Sequence, residues 1–237
     1  EHAVLDVSGD ATTSVDLRGR RYGIVRNGGD ITLGSKDYRF ASSLYEVSGL
    51  PVVVEGGARL DLSGPAAMLD VYASEPAIEV AGDGGTLALV SSNRIVLDGT
   101  VDARGGGSQA FGGTLDILLE STFLSGDTPV EDQALRVVTI GARDRAGAGP
   151  AGELGQMYLS VDQIERAGFD GLSVYARDAI RFAGDVDLSL GREIVLRQGV
   201  LSLTDDAVDS RVRLAAPYIR FDGRTATPAP SSNNQLF

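Results

Sequence analysis

The 237-residue chain carries a formal net charge of −12. A surface of that sign repels phosphate backbones and anionic lipid, which argues against nucleic acid as a partner. With no Cys and one His, a zinc site of ordinary spacing is excluded, and a Ser-His-Asp triad would have to use His2 at the very N-terminus.

Hydrophobic residues make up 43% of the chain, enough to bury a continuous core. No apolar run reaches the length of about eighteen residues that a membrane-spanning helix needs. Lys36 is the only lysine. The Arg excess fits the codon bias of a GC-rich genome or a choice of Arg for bidentate pairing. Absence of Cys suits export in unfolded form through a bacterial outer membrane, where a premature disulfide would jam the channel. The chain opens on Glu1 rather than Met and is read as a piece of a longer protein.

Along the chain, Gly-Gly pairs stand at 28–29, 56–57, 84–85 and 112–113, each 28 residues from the last. A short run follows each pair: Asp30–Leu33, Arg59–Leu62, Thr86–Leu89 and Thr114–Ile117. All four alternate apolar and polar residues, the period of a strand with one buried face. A second unit, strand–Gly corner–strand, occurs at Arg94–Asp102 and Ala179–Asp187, with a partial copy at Tyr218–Gly223.

Repeats of this kind predict an all-β solenoid, a right-handed parallel β-helix with surface loops. At 28 residues per coil the chain would make roughly eight coils, stacked about 4.8 Å apart. Three stretches break the rhythm and are read as surface loops that carry any binding function: 34–51, 121–132 and 141–155. One short helix is expected at 160–168, with Ser160 as N-cap, Gln163 at N3 and Gly168 ending it. Residues 1–224 form a single β-helix domain in this reading. The Pro-containing segment 225–237 is a linker or a truncated next coil.

Several segments resemble a known family. Val4-Leu-Asp-Val-Ser-Gly9 is similar to strands of the filamentous-haemagglutinin-like large exoproteins of Gram-negative bacteria. Leu159–Leu172, Ala179–Leu190 and Leu214–Phe221 resemble recurrent elements of the same group. The resemblance implies an internal segment of an extended β-helix, secreted by the two-partner route through a dedicated outer-membrane transporter. It implies a secreted or cell-surface location, a role in adhesion or biofilm, and a receptor or glycan on a host or bacterial surface as partner. It brings no catalytic residue and no cofactor. Its alternative is the shaft of a contact-dependent inhibition system that delivers a toxin.

A carbohydrate-active β-helix enzyme is the third reading, since such enzymes use Asp, Arg and Lys on one sheet face. The candidates are Asp98 with Asp102, Asp185 with Asp187, and Asp205 with Asp206. Asp185 and Asp187 share a strand face. That face is read instead as the solvated side opposite Val186 and Leu188, and no catalytic or metal site is assigned. Ala81–Leu87 holds one calcium-roll-like Gly/Asp unit where such sites need a tandem array. Arg104-Gly-Gly-Gly107 lacks the Lys and helix of a phosphate loop. Tyr38, Tyr45 and Tyr72 could serve a sugar platform, although the chain has no Trp.

Overall fold

The computed structural model describes residues 3–34, 36–39, 44–47, 50–72, 75–120, 134–144, 153–207 and 209–223. It is mostly β, and its long sheets are parallel. The chain runs through a first, a second and a third stack of strands in that order, then begins again one tier further along.

In the first tier these are β1 (Val4–Asp6), then a hairpin of β2 (Ala11–Val15) and β3 (Arg21–Val25), then β4 (Ile31–Leu33). A second hairpin, β5 (Lys36–Arg39) and β6 (Leu44–Val47), precedes β7 (Val52–Val54). The second tier has β8 (Arg59–Asp61), the hairpin β9 (Ala66–Leu69) and β10 (Ile78–Ala81), β11 (Thr86–Ser91) and β12 (Ile95–Leu97). The third has β13 (Thr100–Asp102), β14 (Gly113–Leu119), β15 (Val137–Gly141) and β16 (Gln156–Ser160). Helix α1 (Val161–Ala167) and the long β17 (Phe169–Ala183) make the fourth. β18 (Val186–Ser189) and β19 (Glu193–Leu203) make the fifth, and β20 (Val212–Ala215) and β21 (Tyr218–Gly223) the sixth.

The second stack runs β4, β11, β14, β17, β19, β21, all parallel. Its register places Ile31, Leu87, Leu115, Leu172, Ile194 and Ile219 in one row. Leu33, Leu89, Ile117, Val174, Leu196 and Phe221 form the next inward row. Thr32, Ala88, Asp116, Ser173, Val195 and Arg220 lie between them on the outward side. The inner members from Leu87 to Leu196 are essentially inaccessible to solvent. Burying one such side chain contributes about 1.5–3 kcal/mol.

The first stack runs β1, β8, β13. Helix α1 then takes the place of a strand, its Ala167 carbonyl accepting the Ala103 N–H at 2.7 Å, and β18 and β20 follow. A helix is about 10 Å across, two strand spacings. The third stack holds two strands, β16 and β15, at this same height, between β12 and the second half of β17. The helix caps are those expected: the Ser160 hydroxyl accepts from the Gln163 N–H, and Gly168 ends the helix at φ 76°.

Two expectations are corrected by this register. Gly28-Gly29, Gly84-Gly85 and Gly112-Gly113 do stack, because they precede strands of one sheet. Gly56-Gly57 does not belong with them. It forms a turn closed by the Ala58 N–H on the Glu55 carbonyl, and β8 after it pairs in the first stack. The interval of 28 does not recur along the row: matched positions are 56, 28, 57, 22 and 25 residues apart over six parallel strands. Likewise Arg94–Asp102 and Ala179–Asp187 do span matching corners, from the third stack into the first, whereas Tyr218–Gly223 lies in the second stack.

Within 34–51, expected as a loop, the backbone forms the β5–β6 hairpin, with Tyr38 opposite Tyr45. The stretch 121–132, most of 141–155, the tail 225–237 and His2 lie outside the described residues.

Candidate functional site

A polar groove of about 580 Å³ lies between the β12–β13 corner and the β16–α1 junction. Sequence-local rules place its floor. Ser160 ends β16 and caps α1, so its hydroxyl lies at the helix entrance, where it accepts the Gln163 N–H at 3.0 Å. The same hydroxyl donates to the Asp144 carboxylate, which also holds Arg166 at 2.5 Å. The Gln163 amide donates to the Leu97 carbonyl, and the Tyr158 hydroxyl to the Arg143 carbonyl at 2.8 Å. Burial pushes the Asp144 carboxyl upward, but the donors Ser160 and Arg166 outweigh it and hold the group below the usual 3.8. Asp144 is thus a fixed anion neutralised by Arg166, a geometry that suits holding the corner together. Exposed Asp98 stands on the rim.

Three of the carboxylates singled out in the sequence are tied to the fold. Asp102 holds Arg104 at 2.5 and 2.9 Å, and the Arg104 guanidinium keeps its carboxyl below the usual range. Asp185 accepts the Arg211 N–H at 2.8 Å, and Asp187 pairs with Arg213 at 2.9 Å, so each reaches into the next tier rather than toward the other. Asp205 and Asp206 are exposed on a single 3-10 turn. Among the described residues no group of three or more His, Asp or Glu could hold a metal ion, and no helix is long and apolar enough to cross a membrane. No known family model, characterised protein or solved structure matches the chain.

A second surface went unread in the sequence. The hairpins β2–β3 and β9–β10 leave at the same corner, between the first and second stacks, and dock on each other. Arg21 and Asp70 exchange bonds there: the Arg21 N–H donates to the Asp70 carboxylate at 2.6 Å, and the Asp70 N–H to the Arg21 carbonyl at 2.8 Å. The pair exposes Val15, Leu17, Tyr22, Ile24, Met68 and Tyr72. Tyr22 and Ile24 share one face of the β2–β3 hairpin, and Val15 lies on the other. Tyr72 was the only one of these singled out. Alternation alone does not separate an inward strand from a projecting hairpin.

Proposed function

We propose that the chain is a scaffold segment of a secreted, surface-exposed bacterial exoprotein of the filamentous-haemagglutinin-like kind, and that it mediates adhesion through its lateral projections. In this reading the tiers are the coils of a right-handed parallel β-helix, delivered by an outer-membrane two-partner transporter. One observation carries the reading. Rows of buried aliphatic side chains run through parallel strands from Ile31 to Leu196, while the hairpins leave the rows at the corners and present apolar side chains to solvent. A stack of this type is a rigid carrier, and what it carries meets the partner.

The test is attachment. Beads coated with the chain should bind epithelial cells or biofilm matrix several-fold above beads coated with an unrelated acidic protein. The triple variant Tyr22→Ser, Ile24→Ser, Tyr72→Ser should lose most of that binding with an unchanged circular dichroism spectrum. Equal attachment of coated and control beads would sink the proposal.

A further inference from the structure

Between β12 and β16 the third stack comes apart. β12 pairs with β7 and β16 with β15, and the Gly155 N–H bonds the Asn93 carbonyl at 2.6 Å just ahead of the two strands. Beyond that bond no ladder joins β12 to β16 among the described residues. Two strands enter the third stack here and a helix enters the first, while the second passes straight from β14 to β17. A stack lengthened on two sides and not on the third splays at the corner those two sides share. The groove of about 580 Å³ lies at that corner.

Its lining is main-chain as much as side-chain. The Val52 N–H bonds the Arg94 carbonyl and the Asp98 N–H the Val54 carbonyl, so the even positions of β12 face β7. The N–H and C=O groups of Ile95 and Leu97 therefore turn toward β16. The side chains of these two residues are buried in the core, so what they bring to the groove is backbone. The Gln163 amide takes the Leu97 carbonyl, and no ladder meets the rest. Asp98 and Thr100 stand exposed on the rim, and among the described residues no bond or ion pair engages the Asp98 carboxylate.

This lining selects against three kinds of ligand. An apolar one finds little beyond Val96. An anion meets Asp98 and Asp144, with Arg166 already neutralised by Asp144. A peptide strand would have to add to the edge of β12. That edge is three residues long, is closed at Asn93 and has given its last carbonyl to Gln163. A hydroxyl donates and accepts at once, so it can serve a carboxylate, a backbone N–H and a backbone carbonyl in turn. The volume falls within the range of about 300–1,000 Å³ usual for small-ligand sites.

We propose that this groove binds a neutral sugar ring bearing adjacent hydroxyls, with the Asp98 carboxylate accepting from them and the β12 edge supplying further bonds. The site lies on the stack rather than on the hairpins, so it does not rest on the adhesive reading. Gly56 lines the same groove, and a Cβ there would meet nothing within 4 Å. Gly56→Tyr therefore fills the groove without touching the core.

Saturation-transfer NMR on the full chain tests this. The neutral probes are methyl β-glucoside, methyl β-galactoside, methyl α-mannoside, cellohexaose, maltohexaose and mannohexaose; polygalacturonate and an oligo-arginine peptide are the charged ones. At least one neutral probe should receive saturation. Transfer to hexasaccharides alone would place an internal ring in the groove, and transfer to a glycoside as well would place a single ring there; both support the proposal. Asp98→Ala should weaken the binding at least tenfold and Gly56→Tyr should abolish it, each with an unchanged circular dichroism spectrum. Asp187→Ala and the triple variant Tyr22→Ser, Ile24→Ser, Tyr72→Ser should leave it intact. Absence of transfer to every neutral probe would overturn the proposal. So would sugar binding indifferent to both Gly56→Tyr and Asp98→Ala, or a groove whose Gly56-sensitive ligand is only the polygalacturonate or the peptide.

Discussion

Aspartate side chains carry backbone hydrogen bonds from one tier to the next. The Phe111 N–H donates to the Asp83 carboxylate at 2.9 Å and the Gly112 N–H to Asp170 at 2.5 Å. The Arg136 N–H donates to Asp178 at 2.7 Å. These are corner positions, where the chain leaves one sheet and the ladder has no strand partner to offer. Asp is short enough to reach and ionised enough to hold, so part of the net charge of −12 serves the turns. Other Asp residues satisfy their own turns. Ser8 donates to Asp6, Arg26 to Asp10 and the Arg20 N–H to Asp16, and each carboxyl is held below its usual 3.8. A depressed carboxyl favours the folded state above 3.8 and loses that contribution as pH falls through the lower folded value. Circular dichroism should therefore show full structure at neutral pH and cooperative loss below about pH 3.8. Asp116 runs the other way. Burial raises its carboxyl despite the bond from Ser173, so its ionised form opposes folding at neutral pH. Asp116→Asn should leave the melting temperature at pH 7 unchanged or higher. A clear drop there would show that the carboxylate carries a bond that asparagine cannot replace.

At the scale of the element, glycine corners and one helix cap decide whether strands and helix meet in register. A Cβ on Gly85 would strike the Gly29 carbonyl oxygen, whereas one on Gly56 would meet nothing within 4 Å. Gly85→Ala should cost about 1–3 kcal/mol or more in urea unfolding, and Gly56→Ala should stay within about 0.5 kcal/mol. Equal costs would mean that both pairs occupy the same kind of corner. Ser160→Ala should cost about 1 kcal/mol as a lost cap and more through the lost donor to Asp144, while Ser160→Thr keeps most of the stability. What was legible in the sequence was local. Leu87-Ala-Leu89 and Leu115-Asp-Ile117 show their faces because a strand alternates, and Ser160 and Gly168 show a helix because caps are chemistry within one turn. The tier length was not legible, because two hairpins stretch one interval to 56 residues, a second third-stack strand and helix α1 lie in one of 57, and another is only 22. A turn at Gly56-Gly57 then fell by coincidence on an even spacing. The groove was hidden for a related reason. Asp144, Ser160 and Arg166 belong to successive elements and meet only once β16 and α1 are stacked.

Over the whole molecule, the described strands touch mainly the tier before and the tier after. Stability is then close to a sum of nearest-neighbour contacts, and it is lowest where a tier has one neighbour. The structure grades this directly. Leu115, Leu172 and Leu196 are fully enclosed in the middle, while all of β1 and all of β21 but Asp222 are exposed. The helix tier interrupts the first stack but not the second, which passes it through the β14–β17 ladder. Opening should therefore begin at the ends and move inward, with β11, β14 and the first half of β17 the last to go. Native-state hydrogen exchange on the isolated chain at low concentration should show slowest exchange at the amides of β14 and its two neighbours, and fastest in β1, β20 and β21. Leu115→Ala should lower protection on both sides of its own tier, by up to the cost of about 2–5 kcal/mol expected for a buried leucine, and act more weakly at the ends. Protection that was uniform from β4 to β21 would mean that the tiers unfold as one unit, and the graded picture would have to be given up.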